Sequence, residues 1–125
     1  MRQLISSGAP WEASVGYSRA VRVGNVVEVA GTTAQDGDTI SGQEEYAQTK
    51  HILEKIAAAL HEAGASLDHV VRTRIFVTDI GKWEAVGWAH GEVFGHIRPV
   101  TTMVQVAALI DPRLLVEIEA TALIA

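Results

Sequence analysis

A chain of 125 residues, 48% hydrophobic and 20% charged, has the composition of a folded domain long enough for a real core, not that of a disordered segment. Its net charge of −5, pI near 5.4 and ten scattered Lys and Arg argue against a nucleic-acid-binding surface, and the absence of cysteine excludes disulfides, thiolate metal sites and cysteine catalysis. No apolar run reaches the roughly 20 residues of a membrane helix, and the N-terminus has no secretory apolar region, so the expected compartment is the cytoplasm.

Residues 1–5 read as a short first strand, followed by a Gly/Ser/Pro loop over 6–14 that carries Trp11. Residues 17–23 and 25–30 read as a hairpin turning at Gly24-Asn25, a residue pair suited to a tight turn. A polar loop over 35–40 follows, marked by aspartates and Gly37. Ser41-Gly42-Gln43-Glu44 has the form of a capping box, in which the serine hydroxyl accepts an early helix amide and the glutamate reaches back. It predicts a helix over about 42–63, with Tyr46, Leu53, Ile56, Ala57 and Leu60 facing a sheet and Glu45, Gln48, Lys55 and Glu62 elsewhere. Gly64 supplies its left-handed stop.

The alternation over 69–78 predicts a long strand, after which Asp79 caps a second helix near 81–94 with Trp83, Val86, Val93 and Phe94 on its buried side. Gly81, Gly87 and Gly91 each weaken that helix by ~1 kcal/mol relative to alanine, which points to close approach by another backbone or a ligand. Gly95 ends it. Two closing strands, 101–107 and 114–122, are expected to pair as a hairpin through a turn at Asp111-Pro112. Alternation in the last strand sets Glu117 and Glu119 on one face. An edge strand kept soluble by charge explains such a pair, and so does a functional use for one of them.

The order β-β-β-α-β-α-β-β predicts one α+β domain over residues 1–125, a six-stranded mixed sheet with two helices on one face. Its other face, expected to be partly apolar, calls for burial by oligomerisation. The five histidines form no HxxxH pair, so no metal site is expected. No phosphate-cradling glycine loop and no GxSxG elbow is present.

Several segments, in order and spacing, resemble the RidA-type reactive intermediate deaminase family (YjgF), also called L-PSP endoribonuclease or translation inhibitor. They are GYSRAV at 16–21, VAGT at 29–32, VRTRIFVTD at 71–79, and Arg98-Pro99 followed by VQVAAL at 104–109 and VEIEA at 116–120. The resemblance spans nearly the whole chain. It implies a chorismate-mutase-like domain assembled as a homotrimer, with a small-molecule ligand in clefts between subunits and no cofactor. Active members hydrolyse enamine or imine forms of 2-amino acids to 2-oxo acids and ammonia.

The family pattern implies roles for particular residues here. Tyr17 matches a tyrosine and Gly31 a backbone glycine that line the pocket, and Glu117 matches the glutamate that positions and deprotonates the attacking water. Thr101 stands where an arginine forks onto the substrate carboxylate, and Trp88 falls at about the position of an asparagine. Losing that charge-assisted pair would cost ~1.5–3 kcal/mol, roughly 10- to 150-fold in binding. Arg19 and Arg98 could compensate, or could be ordinary surface arginines. Neutral Thr101 with Trp88 would suit an uncharged or aromatic ligand. Three functions follow: a divergent enamine/imine deaminase, a non-catalytic small-molecule-binding or regulatory trimer, and an endoribonuclease, against which the acidic charge speaks.

Overall fold

The computed structural model describes residues 1–125. Strands β1 (Arg2–Ile5), β2 (Ala20–Val23) and β3 (Val26–Thr32) come first, then the two-residue strands β4 (Gln35–Asp36) and β5 (Thr39–Ile40). Helix α1 (Glu45–Glu62), β6 (Val70–Val77), α2 (Trp83–Phe94), β7 (Val100–Gln105) and β8 (Val116–Leu123) complete the chain. Six strands form a mixed sheet in the order β1-β2-β3-β8-β6-β7, and β4–β5 form a separate ribbon. Every pairing in the large sheet is antiparallel except β6–β7. The α+β class and the single helical layer are as the sequence predicts.

Why the helices take one face follows from the pleat. Val116, Ile118, Ala120 and Ala122 of β8 alternate inward and are buried, as are Val27 and Val29 of β3 and Ile75 and Val77 of β6. They meet Ile52, Leu53, Ile56 and Leu60 of α1 and Val86 and Phe94 of α2 in one cluster of 21 buried residues. Gly64, at φ +83°, ends α1 as expected. Lys55, expected off the buried face, ties α1 to the ribbon by donating to the carbonyls of Thr33 (2.7 Å) and Gln35 (2.8 Å) and pairing with Asp36 at 3.1 Å.

Several expectations are corrected. The last two strands are not a hairpin, because β6 lies between them. Helix α2 carries the chain over from β6 to a parallel β7, a connection a tight turn cannot make, and β8 fills the other edge of β6. The capping box does not form: α1 starts at Glu45, whose N-cap Glu44 gives no side-chain bond, and Gly42 sits at φ +94°. There the chain passes so close to the helix that a Cβ on residue 42 would lie 2.8 Å from Ala47 Cβ. Tyr46 and Trp83, expected inward, are exposed, and the Tyr46 hydroxyl donates to Glu92. Nothing in the chain presses on Gly91, and a Cβ on Gly87 would meet only the Trp83 ring at 3.9 Å. The uncovered sheet face is mixed rather than purely apolar. Glu28, Arg72, Arg74, Glu119 and Thr121 stand there among Leu4 and Val21, and Arg74 pairs with Glu119 at 3.2 Å.

Gln48, expected off the buried face, is fully buried. Its Nε2 donates to the carbonyls of Gly42 (3.2 Å) and Arg113 (3.0 Å), and its Oε1 accepts from the Leu115 amide at 2.9 Å. One side chain thereby joins the entry of α1 to the approach to β8. Replacing Gln48 with Ala strands three backbone groups and opens a cavity, so we expect a loss of about 2–4 kcal/mol. Urea titration of the variant checks this, with a lower midpoint and an unchanged slope expected.

Candidate functional site

The sheet register breaks between Val29 and Thr32, where β3 bulges against β8. Gly31 occupies that bulge. Outward alternation on β8 puts Glu117 opposite it, and a Cβ on residue 31 would lie 2.1 Å from Glu117 Oε2. No other residue type leaves the carboxylate where it is.

Arg19 is held by its backbone between β1 and β3: its amide donates to Ile5 O at 2.8 Å and its carbonyl accepts from the Ala30 amide at 3.0 Å. The side chain then turns onto the bulge. Nη2 donates to the Gly31 carbonyl at 2.8 Å and Nη1 to Thr32 Oγ1 at 3.4 Å, while buried Nε has no partner. The guanidinium carbon stands 6.0 Å from the centre of the Tyr17 ring, at the outer limit of a cation–π contact. Arg19 is therefore not a free surface arginine. Arg98 is spent otherwise: at φ +56° after α2, it donates from Nε to the Gly95 carbonyl.

Burial raises the Glu117 carboxyl above its ordinary value, the Arg19 charge pulls it back, and Glu119 adds a smaller upward push. The Arg19 charge also acts on Glu12, a residue that sequence reasoning passed over inside the expected loop. The chain there forms a π-helical turn over Glu12–Gly16, and Glu12 is buried. Burial alone would raise its pKa. Hydrogen bonds from the Ser7 and Ser6 hydroxyls and the Ser7 amide outweigh that and hold it below the ordinary value, with help from Arg19. One cation thus lies near two carboxyl groups whose proton affinities are pushed apart. The only hint in the sequence is the Ser6-Ser7 pair just ahead of a solitary acid.

Tyr17 also borders a concavity of about 890 Å³ on the uncovered sheet face, together with Glu28, Arg72, Arg74 and Glu119; Glu117 and Gly31 lie outside its lining. Thr101 and Trp88 are elsewhere. Thr101 aligns across β6 with Thr73 and Ala120, three positions from Glu117 on β8, so the two project to opposite faces of the sheet. Thr101 Oγ1 lies 2.8 Å from Thr73 Oγ1, which lies 2.9 Å from His90 Nε2 on α2. Trp88 is 71% exposed on the outer side of α2, beside Trp83, Gly87, Gly91 and Glu92. Of the six candidates, then, Tyr17, Arg19, Gly31 and Glu117 converge within one chain, while Thr101 and Trp88 do not join them. No group of three or more His, Asp or Glu is placed to hold a metal ion.

A family model described as Endoribonuclease L-PSP matches residues 7–124. A Streptomyces coelicolor protein is 44% identical over 119 residues, 94% of this chain and 89% of its own. The 3-aminoacrylate deaminase RutC of Acinetobacter baylyi is 35% identical over 108 residues, 85% of either chain. Among solved structures, a Mycobacterium tuberculosis member of the YjgF/YER057c/UK114 family matches with a TM-score of 0.93 and 55% identity, covering 99% of this chain and 100% of that one.

The Glu117 environment has a consequence for stability. Unfolded, Glu117 ionises near the ordinary value of about 4.3; folded, it ionises at higher pH, so folding favours the protonated form. Its contribution to stability is lost as pH rises from the ordinary value through the raised one. Glu117→Gln should therefore be more stable than wild type at pH 7, with the gap closing below about pH 4.3; thermal melts across pH check this. Removing the opposing charge with Arg19→Met should raise the Glu117 pKa further, as read by carboxyl-carbon NMR.

Proposed function

The chain belongs to the Endoribonuclease L-PSP family of YjgF/RidA proteins, and from that membership we propose that it hydrolyses a small enamine or imine to a carbonyl compound and ammonia, with Glu117 acting on the attacking water. The observation that carries this reading is the Glu117 carboxyl, half-buried over Gly31 with raised proton affinity beside Arg19. A carboxyl whose proton affinity burial raises and a neighbouring cation lowers suits a reaction that both takes and returns a proton.

An enamine first gains a proton from solvent at its terminal carbon to become the iminium ion. Ionised Glu117 then takes a proton from water as the water oxygen bonds to the iminium carbon, and the C=N π pair moves to nitrogen, leaving a neutral carbinolamine. The Glu117 proton next passes to the amine nitrogen. Glu117, ionised again, takes the hydroxyl proton as C=O forms, the C–N bond breaks and ammonia leaves, and that proton then returns to solvent. Arg19 keeps the carboxylate form accessible and, through the Gly31 carbonyl, fixes the bulge beneath it. Tyr17 lines the approach. The name of the A. baylyi relative denotes deamination of an aminoacrylate, chemistry of this kind.

The working assembly in this reading is a cytoplasmic homotrimer of single-domain chains, ligand clefts lying between subunits. Two features favour it. The sheet face without helices carries the complementary charges Arg72, Arg74, Glu28 and Glu119, and Thr101 and Trp88 lie apart from Glu117 within one chain, so that only a neighbouring copy could bring them to one cleft. The second reading, a ligand-binding trimer without turnover, is favoured by Thr101, which offers a hydroxyl where the family pattern has a guanidinium. The nuclease reading has a net charge of −5 against it.

An imine generated by an amino-acid oxidase and trapped with semicarbazide discriminates these. The wild-type protein should suppress semicarbazone formation, and Glu117→Ala should be about 10²- to 10⁴-fold slower. Activity should rise with pH through the raised pKa of Glu117 as the carboxylate forms. Equal rates for wild type and Glu117→Ala leave the binding reading. Light scattering should give three times the 13.4 kDa chain mass; a monomer rejects the cleft.

A further inference from the structure

His90, Thr73 and Thr101 form a line of hydrogen bonds from α2 through β6 to the free edge of β7, outside everything the hydrolytic step uses. Thr73 is fully buried between them, His90 is half-buried, and Thr101 is exposed. The Thr73–Thr101 pair at 2.8 Å and the Thr73–His90 pair at 2.9 Å can each be donated from either side. Of the two orders, the one that also gives the Pro99 carbonyl, 3.4 Å from Thr101 Oγ1, a donor runs from His90 Nε2–H through Thr73 to Thr101. Burial holds the His90 pKa below the usual histidine value, so the ring at the head of the line is neutral at pH 7.

The outer end is poised. An O–H···O bond of 3.4 Å is longer than the ordinary limit of roughly 3.0 Å, so a ligand oxygen at normal distance is a better partner than Pro99. Nothing in the line carries charge. The line itself offers a carboxylate a hydroxyl donor and no cation, whereas a neutral carbonyl needs only the donor.

We propose that the His90–Thr73–Thr101 line is a neutral oxygen-recognition relay, in which His90 and Thr73 are positioning residues that aim the Thr101 hydroxyl outward, selecting a ligand that bears a carboxamide or other uncharged carbonyl over one that bears a carboxylate. This rests on the reading that Thr101 lines the inter-subunit cleft, and it makes the substrate class of that cleft an imine or enamine with a neutral carbonyl substituent.

The probes are pyruvamide and pyruvate, product-like molecules of equal size that differ in charge, titrated into the full-length protein carrying ¹⁵N-labelled histidine. Pyruvamide should bind about tenfold more tightly than pyruvate and should shift the His90 Nε2 resonance, which long-range ¹H–¹⁵N spectra should show as protonated. Thr101→Val and Thr73→Val, which keep shape and remove the hydroxyl, should each weaken pyruvamide about five- to tenfold, the loss of one net hydrogen bond. Thr73→Ser should restore binding, which a packing role for Thr73 would not. A His90 Nδ1–H tautomer, unchanged pyruvamide binding in Thr73→Val, equal affinity for the two probes or no binding of either overturns the proposal. Pyruvamide binding through the relay, with imine decay indifferent to Glu117, refutes the hydrolase reading and leaves this one standing.

Discussion

A carboxylate oxygen occupies the space that a Cβ on residue 31 would fill, and the arrangement of the site depends on that one close approach. It requires a glycine at the bulge of β3 and a partner strand whose outward position falls opposite it. It also requires something to keep the bulge in place. Arg19 does this by donating into the Gly31 carbonyl and the Thr32 hydroxyl, with its own backbone fixed between β1 and β3. The irregular stretch of the sheet is thus tied by side chain as well as backbone, which is expected where backbone geometry positions a reactive group.

Arg19 also sets the electrostatics. A buried glutamate alone would hold its proton strongly; a glutamate beside an unshielded arginine would lose it. Glu117 has burial and Glu119 acting one way and Arg19 the other, while Glu12 draws on the same cation and is ionised by hydrogen bonds from Ser6 and Ser7. With one guanidinium shared between two carboxyl groups, burial prevails at Glu117 and its pKa stays raised. A residue that hydrogen-bonds mainly to backbone therefore tunes the group expected to do the chemistry.

Strand order divides the remaining candidates. Because α2 carries the chain from β6 to a parallel β7, the threonine at the free edge of the sheet faces the helix layer, and the glutamate on β8 faces the opposite side. A β7–β8 hairpin would have set the two strands side by side, but β6 separates them. The crossover instead puts Thr101 in line with Thr73 and His90, giving an exposed hydroxyl with a buried support where the family pattern has a charge.

Hydrophobic period, turn residues and chain order were enough to determine the α+β class, both helices, the six main strands and the single helical layer, because these reflect local preferences and the burial of one face. Segment order pointed to the family, and with it to Tyr17, Gly31 and Glu117. What proximity alone decides was not legible. The insertion of β6 between β7 and β8, the inward turn of Gln48 and Arg19, and the burial of Glu12 all come from long-range pairing that leaves no periodic trace. Gln48 looks like a surface residue until three backbone groups need one polar side chain inside. The family pattern marks Thr101 only by the arginine it lacks, and its link to Thr73 and His90 shows once the crossover sets it beside Thr73. Local chemistry is written along the chain, but the meeting of residues far apart in it is set by which strands pair and which side chains must then satisfy the groups those pairings bury.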